Sequence, residues 1–174
     1  NNGVAFRYVF PEVSDKKPVI THEYTGFKIP ENAVLWLQKY DKATSYSPAY
    51  ELYYENGIAA GTKSPNAEGW ALPLLAQTKQ NWLLIAESDL KPDYCGIHLN
   101  PDPSNNTYSV RFPEQAEANG LGSIYPQISL PWASPWRCIT IADNAKQIFG
   151  SSLVNDLASN PATGDYSWLK QGKY

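Results

Sequence analysis

Apolar and polar residues alternate in short runs along this chain, at residues 4–10, 19–23, 33–40, 49–54, 70–77, 82–87, 108–112 and 136–141. An extended backbone sends successive side chains to opposite faces, so each run predicts a β-strand with one face toward a core. The runs are separated by turn chemistry: Glu55-Asn56-Gly57, the polar residues 61–66, the stretch Asn100-Pro101-Asp102-Pro103-Ser104-Asn105-Asn106, and Gly120-Leu121-Gly122-Ser123. Glycine and asparagine accept the backbone angles of tight turns, and proline stops strand pairing. Strands of this number and spacing predict an all-β antiparallel sandwich. A helical signal appears only in the last third. Asp143 caps a short helix running to Phe149 and ended by Gly150; Ser151 or Ser152 caps a second over residues 153–157, with Pro161 as its stop. Both helices are expected to be peripheral.

Composition agrees with that reading. Six Trp, 12 Tyr and 5 Phe suit pleated surfaces, 14 Pro punctuate loops, and a 43% apolar share is enough to bury a core within 174 residues. One domain is expected over residues 1–174, since no repeat, low-complexity tract or linker-like shift interrupts it. The net charge of −3 and the scattered basic residues provide no footprint for phosphate backbones or anionic lipids, so neither nucleic acid nor membrane is an expected partner. No apolar run approaches the roughly 18 residues that span a bilayer. The chain starts at Asn1 without a methionine or a signal-peptide pattern, so its first residue is expected to be a mature, cut or incomplete end.

Candidate chemistry is sparse. Cys95 and Cys138 lack CxxC or Cys/His spacing, which leaves a disulfide, two buried thiols or one of each open, with idle buried thiols favoured. With only His22 and His98 present and no HExxH, zinc chemistry is not expected, and no GxSxG elbow supports a nucleophilic serine. His22 is read as a strand residue and His98 as a partly buried loop partner. Glycoside hydrolysis needs two carboxylates, and the candidates are Glu51 with Glu55, Glu87 with Asp89, and Glu23. In a strand Glu87 and Asp89 would share a face about 7 Å apart, yet a charged pair at a strand end is expected to be a solvated edge. Glu51 lies within Tyr50-Glu51-Leu52-Tyr53-Tyr54. Burial there would demand a cation or donors; the alternative, favoured by alternation, turns Glu51 and Tyr53 to solvent and Tyr50, Leu52 and Tyr54 inward. Trp70, Trp132 and Trp136 have the chemistry to stack on sugar rings, but core packing is the expectation for each.

Taken in order, several blocks resemble the N-terminal domain of glycoside hydrolase family 97, the bacterial α-glucosidases and α-galactosidases. Asn1-Asn2-Gly3-Val4-Ala5-Phe6-Arg7-Tyr8 is similar to the family's Asn-Asp-Gly-Val-Ala-Phe-Arg-Tyr block, with Asn2 replacing aspartate. Glu23-Tyr24-Thr25-Gly26-Phe27 and Tyr50-Glu51-Leu52-Tyr53-Tyr54 follow. The most specific are Ser134-Pro135-Trp136-Arg137-Cys138-Ile139, for the family's Thr-Pro-Trp-Arg-Val-Ile, and Ser167-Trp168-Leu169-Lys170-Gln171-Gly172-Lys173, for Ser-Trp-Ile-Lys-Pro-Gly-Lys.

The resemblance implies the larger, C-terminal part of a super-β-sandwich related to the galactose-mutarotase-like fold, non-catalytic, docked on a (β/α)8 barrel that follows it. Earlier sandwich strands and the barrel carboxylates would lie outside this chain, leaving edges exposed and the fragment inactive by itself. It further implies an oligosaccharide or α-glycoside substrate for the parent, a periplasmic or extracellular location, and a calcium ion at the junction of the two domains. By motif position the calcium ligands from this domain would be Glu51 and, less securely, Asn1; the isolated chain would bind calcium weakly, because calcium takes six to eight oxygens. A free-standing carbohydrate-binding module is the alternative, and a mutarotase-like epimerase a third. The retained C-terminal block argues for the enzyme domain, and two histidines in unremarkable contexts argue against the epimerase.

Overall fold

A computed structural model describes residues 2–44, 51–160, 167, 168, 170 and 172. They form the all-β sandwich expected, with two short helices near the end. The larger sheet has six antiparallel strands in the order β1 (Gly3–Phe6), β11 (Trp136–Ala142), β7 (Trp82–Ser88), β6 (Leu74–Gln77), β4 (Val34–Gln38) and β5 (Tyr54–Ala59). A second sheet orders β3 (Gly26–Lys28), β9 (Thr107–Arg111) and β8 (His98–Leu99). β2 (Val9–Phe10) pairs with β10 (Trp132–Ala133), prolonging the β1 and β11 pairing past Pro135.

Period-two alternation builds the core. Leu35 and Leu37 of β4, Leu74 and Ala76 of β6 and Ile85 of β7 face Phe27, Leu99, Tyr108 and Val110 from the smaller sheet in one buried cluster. Each large aliphatic side chain fully buried there contributes about 1.5–3 kcal/mol. Trp70, wholly buried, couples the sheets, bridging Lys39 beyond the end of β4 and Leu99 of β8. Its Nε1 is a buried donor without an acceptor among the described residues. The smaller sheet covers the β4, β6 and β7 part of the large one.

Several strands depart from the alternation. No strand forms over residues 19–23: Val19 makes one bridge, to Gln127, and pairing begins at Gly26. Alternate burial of Glu23, Thr25, Phe27 and Ile29 shows that the period is real but that partners exist only for its later part. The strand predicted over residues 49–54 starts where it was expected to end, at Tyr54; residues 49 and 50 lie outside the described residues. Tyr54 is 45% exposed, so it does not face inward. Glu55-Asn56-Gly57 is not a turn but part of β5, where the register slips between Leu35 and Trp36 and Gly57, at φ 70°, supplies the extra residue of a bulge. β8 has only two residues, too short for a period to show.

The helices fall where their caps predict. α1 (Ala145–Phe149) is capped by Asn144, whose side chain accepts from the Gln147 N–H, one residue later than Asp143; α2 (Leu153–Asp156) follows Ser152. Among the described residues no helix is long and apolar enough to cross a membrane.

Candidate functional site

The antiparallel register places Arg137 of β11 directly opposite Glu87 of β7. Both point to the core side of the sheet, the face of Ile85 and Ile139. Glu23 arrives from the segment that leads into β3, and Tyr94 from the loop after β7. Arg137 is 0% exposed and Glu23 6%, so their charges are taken out of water together. The guanidinium grips Glu23 with a fork, Nε to Oε1 at 2.8 Å and Nη2 to Oε2 at 2.5 Å, while Nη1 donates to Glu87 Oε1 at 2.6 Å. The Tyr94 hydroxyl donates to Glu23 Oε2 at 2.7 Å, and the Ile97 N–H reaches Glu87 Oε2 at 3.4 Å. Planar, bidentate pairing of this kind is what arginine supplies and lysine cannot.

The two carboxylates respond oppositely. Burial pushes Glu23 up, but the Arg137 fork and the Tyr94 hydroxyl outweigh it and hold the carboxyl below the usual range. For Glu87 burial prevails over the pull of Arg137 and the carboxyl is pushed up. The same surroundings raise Arg137 against the cost of burial, chiefly through Glu23. Linkage then has opposite signs. The stability from Glu23 is complete above the ordinary value of 4.5 and lost as pH falls through its lower folded value. Glu87 is penalised while ionised, and that penalty is relieved as pH falls through its higher folded value. Thermal unfolding from pH 7 to 3 should therefore show a plateau or slight rise followed by a drop below 4.5, and Glu23→Gln should flatten the drop. Equal acid sensitivity in both proteins would refute the assignment.

A cleft of about 210 Å³ opens beside this centre, lined by Tyr8, Phe10, Tyr24, Tyr94 and Trp132 with Glu23 at its base. Both Glu23 oxygens are committed, so the cleft presents mainly aromatic surface.

A second buried group surrounds His98. The ring stacks on Tyr40, Nδ1 lies 3.1 Å from the Glu68 carbonyl, and Nε2 lies 3.1 Å and 3.2 Å from the two Glu117 carboxylate oxygens. Burial pushes the imidazole down against the attraction of Glu117. The Glu68 carbonyl can only accept, so the proton of the imidazole is directed to it from Nδ1, while Nε2 faces the Glu117 carboxylate. The pair clips the 3-10 turn Glu117–Gly120 to β8. His98 is thus wholly buried on a strand rather than partly buried in a loop, and His22 is exposed outside any strand.

Other expectations are corrected or located as follows. Glu87 is not on a solvated edge, because its register with Arg137 turns it to the core. Asp89, at φ 59°, accepts from the Ser159 N–H at 2.9 Å and lies 3.3 Å from Lys91 Nζ. Glu51 is exposed, before β5 begins, and the neighbouring Leu52 carbonyl accepts from Gln38 Nε2 at 2.8 Å. β6 and β4 separate β5 from the strand carrying Glu87, so Glu51 is not part of the Arg137 centre. Glu55 pairs with Lys39 at 2.6 Å rather than with Glu51. Asn1 lies outside the described residues. Trp70 and Trp132 are core, and Trp136 is half-buried beneath the Arg7 guanidinium, 4.4 Å from its ring centroid. Cys95 and Cys138 are free thiols, and burial pushes Cys95 up to about 12, far from a reactive thiolate. Among the described residues no three His, Cys, Asp or Glu side chains converge as a metal-binding group. In the sequence Arg137 stands out only within its motif block, and nothing there pairs it with Glu23 or Glu87.

Comparisons with known proteins bear on the chain as a whole. The family described as Glycosyl-hydrolase 97 N-terminal matches residues 1–160. A probable retaining alpha-galactosidase from Streptomyces bingchenggensis (strain BCW-1) is 30% identical over 173 residues, which are 99% of this chain and 24% of that protein. The crystal structure of a beta-arabinopyranosidase superposes with a TM-score of 0.76 at 34% identity, covering 82% of this chain and 24% of the other. A glycoside hydrolase family 97 enzyme in complex with acarbose, from Pseudoalteromonas sp. strain K8, shares the fold with a TM-score of 0.69 at 20% identity, covering 98% of this chain and 24% of the other. The chain spans about a quarter of the length of each of these relatives.

Proposed function

Because the chain belongs to glycoside hydrolase family 97, as its N-terminal domain, we propose that it is a non-catalytic β-sandwich that docks on a catalytic (β/α)8 domain and contributes a wall and two calcium ligands, Glu51 and Asn1, to a glycoside-cleaving site. The observation that carries this reading is the contrast among its carboxylates. Glu23 and Glu87 are spent on Arg137, Glu55 on Lys39 and Glu117 on His98; of the exposed carboxylates, Glu12, Asp15 and Glu31 among them, motif position singles out Glu51, just before β5, the last strand of the described large sheet. An acid and base for glycoside cleavage must be free to exchange protons with a substrate, and the committed carboxylates are not.

Glu51 suits calcium as one contributed oxygen ligand. Calcium needs six to eight oxygens, and a lone exposed carboxylate leaves most of them to be supplied by the docked domain. Asn1 is the second ligand proposed from this chain. When bound there, calcium would supply positive charge beside the reacting glycosidic bond. The part of this chain is to hold Glu51 in place, through the Leu52 to Gln38 bond and the paired start of β5. The proposed substrates are oligosaccharides or α-glycosides, and the proposed location is periplasmic or extracellular.

Glu51→Gln in the full-length enzyme tests the ligand. Calcium affinity is expected to fall about tenfold or more, with turnover falling in parallel and the unfolding midpoint of the sandwich unchanged. An unaltered calcium titration removes Glu51 from the site.

A further inference from the structure

Asparagine followed by glycine is the dipeptide that loses its side-chain amide most easily, because no Cβ shields the next backbone nitrogen. The chain has three such pairs, Asn2-Gly3, Asn56-Gly57 and Asn119-Gly120. Sequence ranks them equally; the fold does not. Loss of the amide brings the glycine nitrogen onto the asparagine Cγ, so the asparagine must swing both its backbone and its side chain into a ring. Groups bonded into a sheet resist that motion until the structure opens locally.

Asn2 is held at two points. Its carbonyl accepts from the Ile141 N–H at 2.7 Å and its Oδ1 from Ser151 Oγ at 3.0 Å. Gly3 is paired with Thr140, and so tightly that a Cβ there would lie 2.5 Å from the Ile139 carbonyl oxygen. Asn56 stands opposite Trp36 in β5, and its Nδ2 donates to the Tyr54 carbonyl at 3.2 Å. Asn119 has neither restraint. It is exposed, at φ 57° in a four-residue 3-10 turn, and its side chain makes no hydrogen bond to any described residue. Short 3-10 turns have poor hydrogen-bond geometry and open readily. This one is pinned at its front, where Glu117 Oε1 accepts from the Glu114 N–H at 2.7 Å and Oε2 lies 3.2 Å from His98 Nε2.

We propose that Asn119 is a self-modification site, at which the Gly120 nitrogen attacks the Asn119 side-chain carbonyl carbon. The new N–Cγ bond forms as the Cγ–Nδ2 bond breaks, and ammonia leaves with the proton of the Gly120 amide. A five-membered imide remains. Water adds to one imide carbonyl or the other and reopens the ring, giving aspartate or isoaspartate; water is the only co-reactant. Either product places a new carboxylate two residues from Glu117, in the turn that is clipped to β8 through His98. Isoaspartate also lengthens the backbone of that turn by one carbon. The proposal makes no use of Glu51 or of calcium, so it stands or falls apart from the functional reading above.

The folded 174-residue chain, incubated at mildly alkaline pH and mapped by peptide mass spectrometry, tests it. Conversion of amide to acid at residue 119 should run about tenfold or more ahead of residues 56 and 2, whose release requires local opening. In concentrated urea, where the sheet no longer restrains them, the three sites should convert at similar rates. Gly120→Ala should slow residue 119 about tenfold, by placing a Cβ beside the attacking nitrogen, and leave residues 56 and 2 unchanged. The proposal is overturned if Asn2 or Asn56 converts as fast as Asn119 in the folded chain. It is equally overturned if folding slows Asn119 as much as the other two, or if Gly120→Ala leaves its rate unaltered.

Discussion

Arg137→Met is expected to destabilise the domain by about 3–5 kcal/mol, because it leaves Glu23 and Glu87 buried with no cation between them. The loss is not the value of the ion pairs themselves. Their attraction is largely offset by the desolvation of three charges, and the penalty arises because one partner is removed while the others stay. A second set of variants separates the two quantities. Combining Arg137→Met with Glu23→Gln and Glu87→Gln should recover part of the lost stability, since replacing a whole buried network is close to neutral when removing one member is not. Urea unfolding measures both; a single-variant loss below about 1 kcal/mol, the range of an exposed pair, would show that water reaches the centre.

Gly69→Ala should be nearly as damaging, at about 3 kcal/mol, for a reason that is wholly steric. Gly69 has φ 88°, and a Cβ built there lands on the Leu99 carbonyl oxygen. That oxygen accepts the Trp70 N–H at 2.9 Å, and the Leu99 N–H returns a bond to the Trp70 carbonyl at 2.8 Å. Alanine would therefore meet the unfavourable backbone angle and also push apart the bridge that seats Trp70 in the core. Gly122→Ala is the control: φ is 76° but nothing lies within 4 Å, so only the backbone term of roughly 1–2 kcal/mol should appear. Equal losses in the two variants would mean that the contact with Leu99 gives way without strain.

The centre around Arg137 was only half legible in the residues. Glu23 and Glu87 could be singled out as carboxylates, and Arg137 as part of a motif block, but 114 positions separate Arg137 from Glu23 and 50 separate it from Glu87. Local spacing contains no information about such a meeting. It requires β11 to pair with β7 in one register, and a slip of a single residue would send Arg137 to the opposite face. The glutamate block that the motifs single out thus has a structural use, anchoring the lead into β3 to the large sheet. Glu51 shows the reverse case, since its local sequence predicts solvent exposure without reference to any partner, and it is exposed.

By itself the sequence determined that this protein is a sandwich of short antiparallel strands and where most of them lie, because a strand's two faces are written into alternate residues. It also determined where the two helices lie, one behind a cap that falls at Asn144 instead of Asp143 and one behind Ser152, which makes no side-chain cap bond, and through its motif blocks it marked the family. The tertiary structure alone decided which alternating runs find partners, that Glu55-Asn56-Gly57 is a bulge and not a turn, and that Arg137 gathers two distant carboxylates. Alternation specifies which side of a strand prefers to be dry; only the placement of the opposing layer decides whether it is.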